Sequence, residues 1–529
     1  MEAEALWLIV LAAALLGGIL SGVPVMLAIA GVPLIVAVVA SLTGHFDMAF
    51  IGAFPQRVFG IMNNTLLIAV PMFILMGVLL ESSRIAEGML ESFGRLMGGS
   101  PAMMALSVLL VSALIAASTG IIGATIVMLT LISLPSLLGA GVSKRTGTGL
   151  ICAAGTLGQI IPPSIVLVLL GDQISNAHIE AQREVGNFAP DPVSVGDLFA
   201  GALFPGLLLV ALYAAYVLFV VRMPIAGADE ENAPAAPADA AEATPSVMAL
   251  LGQILPPAIL IIVVLGSILI GVATPTEAAV VGAAGTMLLT AANLEPTNQH
   301  TRIVVVAASL SALTLVVMAS YGLTRAIWNG GAGASASFAV TCVLTMMFVG
   351  GLAYAIYLLF RNGVMVTALS TTVRISAMVF GIVLASSMLS LVFRGFGGDD
   401  LVHELLTGLP GGQWGMLAIV MLVIFLLGFI LEFVEIVFIV IPIVGPVLLQ
   451  FDIDPVWFAV LVALNLQTSF LTPPFGFALF YFRSVAPSEI STGDIYVSII
   501  PFVAIQLVAI GIVASFPALA TWLPNMLFG

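Results

Sequence analysis

"GTLGQIIPPSIVLVLLG" occupies residues 155–171, and its reading decides the fold. Two adjacent prolines, Pro162 and Pro163, sit in a run apolar enough for the interior of a bilayer. Each lacks a backbone N–H and crowds the preceding turn, so a helix is interrupted there. Hydrocarbon tolerates freed backbone groups only where protein or a water-filled cavity satisfies them. The interruption therefore asks for a purpose.

The rest of the chain makes the bilayer explicit. Of 529 residues, 61% are hydrophobic and 8% charged, with mean hydropathy +1.23; soluble domains carry about 25% charged residues. Apolar runs recur from 5–20 to 496–516, and about 20 residues cross the hydrocarbon as a helix. The spacing predicts about 11 to 14 crossings, broken segments included. Solidly apolar runs exclude a β-barrel, whose strands alternate. The first run is followed at once by another and reads as a retained span. Cys152 and Cys342 are isolated in apolar surroundings, so no disulfide framework or Cys-rich metal site is available. The net charge of −14 arises mostly in polar connections and argues against a nucleic-acid partner. Thirteen scattered Lys and Arg residues are too few to fix the orientation of the termini.

Residues 223–249, rich in Ala, Pro and acid, read as a linker between residues 1–222 and 250–529. The two parts carry the same punctuation. "NLQTSFLTPPFGFALF" (465–480) answers the opening stretch, with Pro473 and Pro474 standing 311 positions after Pro162 and Pro163. Pro135 and Pro446 share that offset. "VPVMLAIAG" (23–31) matches "TPTEAAVVG" (274–282) at an offset of 251. The offset thus grows by 60, which predicts a two-helix insertion, and residues 301–360 supply two apolar runs. Matched interruptions in two halves point to a transporter binding site at mid-membrane.

A re-entrant hairpin is expected in each half. The first spans about 55–97, with Pro71 near its middle and a tip at Ala69–Met72. The second spans about 374–407, with Ser386 and Ser387 at its tip. A kinked span plus an amphipathic surface helix is the alternative. Interrupted helices are then expected over 101–171 and 414–482. Within them "AASTGIIGATIVM" carries Ser118, Thr119, Gly120 and Thr125, and "LEFVEIVFIV" carries Glu432 and Glu435. Carboxylates are costly in lipid and mark function. Carbonyls released by the prolines and Ser/Thr oxygens can replace the water shell of Na⁺, while helix N-termini attract a carboxylate. Gln159, Ser164, Asn465, Gln467, Thr468, Ser469 and Thr472 are the polar side chains near the interruptions. "TPTE" (274–277) reads as a capping box.

These motifs resemble the large membrane subunit of the tripartite ATP-independent periplasmic (TRAP) transporters. The likeness is carried by "LLIAVPMFILMGVLL" (66–80), "ASTGIIGATIVM" (117–128), "AAGTLGQIIPPSIVLVLLGD" (153–172), "GVATPTEAAVVGA" (271–283) and "LQTSFLTPPFGFALFYFR" (466–483). It is most similar to the branch labelled for mannitol or chloroaromatic compounds. The resemblance implies an all-α polytopic protein with an inverted repeat, two re-entrant hairpins and broken helices, working as an elevator. It implies a Na⁺-driven importer of organic acids in a bacterial inner membrane. Its partners would be a small membrane subunit of about four helices and a periplasmic substrate-binding protein. Carried over, one Na⁺ site involves Ala69, Ser118, Thr119, Gly120, Thr156, Gly158 and Pro162. A second involves Ser386, Ser387, Glu432, Glu435, Thr468, Thr472 and Pro473. Thr125, Gln159, Ser164, Asn465, Gln467 and Ser469 are the candidates for substrate. The insertion and the two glutamates depart from the usual pattern, and the glutamates leave H⁺ coupling open.

Other classes fare worse. His403 in "HELLTG" lacks the second histidine of a zinc protease, and no P-loop is present, so neither an enzyme nor an ATP-driven pump is expected. No covalently bound cofactor is expected either. A stand-alone carboxylate transporter of the same architecture is the main alternative.

Overall fold

The computed structural model describes residues 2–83, 85, 88–90, 92, 100–120, 122–222, 247–320, 334–474 and 476–529. The linker from Met223 to Ser246, Arg84, Glu87, Glu91, Arg95 and residues 329–333 of the inserted turn lie outside them. Among the described residues all regular structure is helical, and ten helices are long and apolar enough to cross a membrane.

Helices α1 (Glu2–Leu20) and α2 (Val25–Leu42) pack together around a turn at Gly22, φ 82°. Short α3 (Phe54–Met62) leads through Asn63 and Asn64 and a 3-10 turn at Thr65–Ile68 into α4 (Ala69–Ser82). The hairpin expected over 55–97 is therefore corrected: its described part is an amphipathic helix followed by a span. Phe59 and Met62 of α3 are exposed, whereas α4 is mostly buried. Pro71 lies in the first turn of α4, where the missing N–H has no intrahelical partner to lose. Ala69 opens a buried helix and is not a hairpin tip.

The first true reversal comes later. Helix α5 (Pro101–Thr119) is capped by Ser100 Oγ and ends at Gly120, whose φ of 59° suits glycine; α6 (Ile122–Gly139) packs back on α5. Helix α7 (Lys144–Thr156) tightens into a 3-10 turn at Leu157–Gln159 and stops at Pro162–Pro163. The chain resumes as α8 (Ile165–Glu184) and α9 (Val195–Arg222).

The second half opens with α10 (Val247–Leu269) and α11 (Pro275–Leu294). The capping box is present: Thr274 N donates to Glu277 Oε2 at 2.8 Å, and Glu277 N to Thr274 Oγ1 at 3.3 Å. After α12 (Gln299–Ser320) and α13 (Ala334–Arg361) comes α14 (Val364–Gly395), 32 residues without a break. The second expected hairpin, about 374–407, is thereby corrected. Ser386 Oγ donates to Val383 O at 2.9 Å and Ser387 Oγ to Leu384 O at 2.7 Å, so both hydroxyls are satisfied inside a continuous helix. Short α15 (Gly398–Thr407) follows. The reversal occurs between α16 (Gly412–Leu427) and the pair α17 (Phe433–Ile439) and α18 (Ile441–Leu448). Helix α19 (Pro455–Leu471) breaks at Pro473–Pro474 and resumes as α20 (Phe477–Val485), before α21 (Thr492–Ser515) and α22 (Ala518–Phe528).

The halves interlock by exchanging partners. Helix α4 packs on α11 and α14 on α2, while α6 meets α20, α8 meets α18, and α7 meets α21. Helices α1–α4, α10, α11 and α14 thus make one group and the hairpins with the interrupted helices another, the two joined in one apolar core through α4 on α5 and α14 on α17. The inserted α12 and α13 pack on each other and on α11 around Leu288, Ala291, Val305, Ala308, Ala355 and Leu358.

Candidate functional site

Both hairpin tips lie against an interruption at matched positions. In the first half the Gly158 Cα sits so close to α5 that an added Cβ would stand 2.8 Å from Ala116 O. A Cβ on Gly120 would stand 3.2 Å from Ile165 N, at the start of α8. Gly158 thus lies on α5 one turn before its end, and Gly120 on the start of α8. The side chains of Ser118 and Thr119 lie outside the described residues. In the second half Gly428, after α16, touches the side chain of Ser469, and Ser469 stands 311 positions after Gly158. Ala69, Ser386 and Ser387, which sit in α4 and α14, are not part of either tip.

The hydroxyls at the interruptions share a polarity. Thr156 Oγ1 donates to Ala153 O at 2.8 Å, Thr468 Oγ1 to Leu464 O at 2.8 Å and Thr472 Oγ1 to Thr468 O at 2.7 Å. Ser469 Oγ donates to Leu466 O at 2.9 Å. A hydroxyl whose proton is already committed to a carbonyl offers lone pairs, which suits a cation. One carbonyl that the prolines release is taken, since Ser164 Oγ donates to Gln159 O at 3.2 Å; at the second interruption Tyr496 OH donates to the carbonyl of Pro474 itself at 2.9 Å.

The amides divide by role. Gln159 is fully buried, and neither end of its side chain meets hydrogen-bond geometry. A buried amide in that state needs a guest or water. Gln467 is also buried and neither end of its amide meets hydrogen-bond geometry, but it stands near the Tyr213 hydroxyl in the packing of α9, α19 and α21. Asn465 Nδ2 donates to Met421 O at 2.7 Å and ties α19 to the hairpin arm α16. Thr125 is buried on α6. Pro162 and Pro473 mark the two interruptions themselves.

Glu432 and Glu435 sit at the second tip. Glu432 N donates to Glu435 Oε2 at 2.8 Å, so Glu435 caps α17 and Glu432 remains half-buried beside Tyr481. The Tyr481 ring in turn lies on Gly123 of α6, where an added Cβ would stand 2.7 Å from it. The second interruption thus reaches the first hairpin through Tyr481 of α20. The sequence carries no signal for Tyr481 or Tyr496, because both act across folds of the chain. A further contact it conceals is Asn64 Nδ2 to Asp172 Oδ1, 2.9 Å, which joins the start of α4 to α8.

Residues 8–328 and 291–519 match the family described as the DctM component of the tripartite ATP-independent periplasmic transporters. The chain is similar to a C4-dicarboxylate TRAP transporter large permease protein of Vibrio cholerae, 26% identical over 95% of this chain and 96% of that protein. It is similar also to a sialic acid TRAP transporter large permease protein of the same organism, 23% identical over 97% of each. The solved YdaH transporter of Alcanivorax borkumensis shares the fold, with TM-score 0.50 and 12% identity, covering 90% of this chain and 88% of that one. The matched segments span most of the sequence and describe a membrane permease, not an enzyme. The chain belongs to the DctM-component family of the tripartite ATP-independent periplasmic transporters.

Proposed function

We propose that the chain is the transport subunit of a Na⁺-coupled importer of organic acids in a bacterial inner membrane, working as an elevator. The observation that carries this reading is the pair of matched junctions, Gly158 on Ala116 and Gly428 on Ser469, each setting a hairpin tip on an interrupted helix. One Na⁺ site draws on residues 118–120 with Thr156, Gly158 and Pro162; the other draws on Glu432, Thr468, Thr472 and Pro473. Gln159 and Ser164 face the cargo from the first interruption. Relatives named for C4-dicarboxylates, sialic acid and isethionate support an organic acid as cargo. A small membrane subunit and a periplasmic binding protein complete the assembly; a relative named DctMQ supports the first. Glu432 favours a second reading, in which a proton replaces one Na⁺.

Uptake into proteoliposomes tests this. The expected result is transport that requires an inward Na⁺ gradient and an added binding protein. Uptake driven equally well with choline in place of Na⁺, but by a pH gradient, would favour the second reading. Uptake without any binding protein would make the chain a stand-alone carrier.

A further inference from the structure

Helix α8 belongs to the body of the interrupted helices, yet one of its faces is turned to the other body. Asp172, Asn176, Glu180 and Glu184 recur every four residues along it and so share one stripe. The stripe meets the opposing body twice. Asp172 accepts from Asn64, and Glu180 holds the guanidinium of Arg394 at the end of α14, with Nη2 2.9 Å from Oε2 and 2.7 Å from Oε1. Arg394 Nε also lies 3.3 Å from Asp399 of α15. The last rung, Glu184, accepts from Gln450, just beyond α18. A water-accessible cleft of about 270 Å³ opens here, lined by Glu180, Glu184, Arg394, Asp399, His403 and Pro446.

Carboxylates in the last turns of α8 are unfavourable to that helix's own dipole, so local helix electrostatics give no reason for them. A partner across the cleft does. Arg394, by contrast, suits the C-terminal end of α14. Arg57 of α3 donates to Ser390 Oγ at 3.2 Å on the same helix. Its charge lies close enough to repel the Arg394 guanidinium. Burial lifts the Asp399 carboxyl above the usual carboxylate range, and the Arg394 charge pulls it back. The two bodies are thus joined by a charge pair whose members belong to different bodies and whose site stays wet. Such a pair can be made and broken without stranding a dry charge.

We propose that Glu180 and Arg394 form a latch that holds the mobile body in the position seen in this structure, with the stripe on α8 as the surface that slides past α14. Release of the guanidinium precedes each stroke, and neighbouring rungs offer it intermediate partners. The latch rests on the two-body reading above.

The test uses the full chain in proteoliposomes, with spin labels at Val185→Cys and Leu42→Cys after Cys152→Ala and Cys342→Ala. Val185 and Leu42 are exposed, one on each body. Distances between the labels are recorded in Na⁺ and in choline. The unsubstituted pair is expected to give two distances. E180Q and R394Q are each expected to deplete the one that matches this structure about three- to tenfold, the range of a well-formed half-exposed pair. The double variant is expected to shift no further than the larger single effect, and E180R with R394E to restore part of the population. Two distances that these variants leave unchanged, or single effects that multiply in the double variant, would overturn the latch and spare the moving body. One unvarying distance under both ions would overturn both.

Discussion

Gly428 lies directly against Ser469, so that a methyl group on the glycine would overlap the serine hydroxyl. This contact seats the second hairpin tip on α19, as Gly158 seats α7 under Ala116 O in the first half. Overpacking at such a site costs about 1–3 kcal/mol. Gly428→Ala is expected to lower thermal stability in detergent by that amount, and Ser469→Gly in the same background to recover most of it. Unaltered melting of Gly428→Ala would show that the junction is looser than described.

Thr156→Ala and Thr468→Ala remove one hydroxyl from each proposed cation site while leaving the helices intact. Each is expected to raise the Na⁺ concentration for half-maximal uptake about tenfold, equivalent to about 1.4 kcal/mol. An unchanged Na⁺ response with normal folding would remove that threonine from its site.

Glu432→Gln and Glu435→Ala separate two roles that neighbouring carboxylates play. Glu435 accepts a backbone N–H and should contribute about 1 kcal/mol of stability as a cap. Its loss is expected to appear in melting more than in Na⁺ affinity. Glu432→Gln is expected to weaken ion dependence with little loss of stability. The reverse pattern in paired melting and uptake curves would exchange the assignments.

Asn465→Ala should act on structure rather than on cargo. It removes the tie between α19 and the Met421 carbonyl of α16, a net loss of about 0.5–1.5 kcal/mol for one hydrogen bond. Melting should fall accordingly while competition among organic acids for uptake stays the same. Altered selectivity at full stability would return Asn465 to the cargo site.

Ser386→Ala and Ser387→Ala are expected to change stability by no more than about 0.5 kcal/mol and to leave Na⁺ dependence untouched. Both sit within unbroken α14, away from both interruptions. A Na⁺-specific defect in either variant would mean that α14 opens during the cycle.

The interruptions at Pro162 and Pro473 are legible in the sequence because proline acts locally, although Pro256 and Pro257 lie inside unbroken α10, so a missing N–H alone does not decide where a helix stops. The capping box at Thr274 and Glu277 is legible for the same reason. The hairpins are not, because α5 ends at Gly120 and α6 begins by Ile122, inside a run whose composition matches a straight span. Charged residues around 84–95 imitate the flanks of a short re-entrant segment and draw the hairpin toward Ala69. Ser386 and Ser387 look like tip residues until α14 is seen to run unbroken through them. Asn465 and Met421 lie 44 residues apart, and a bond from a side chain to a distant carbonyl leaves no mark in either stretch.

The exchange of partners between halves bears on biogenesis. Helix α4 leaves the translocon long before α11, the helix it is built to meet, has been synthesised. An apolar surface can wait among acyl chains without penalty. The carbonyl of Ser83 fares differently, since its donor, Asn293 Nδ2, arrives only with α11. A chain truncated before α11 therefore lacks that tie at the end of α4.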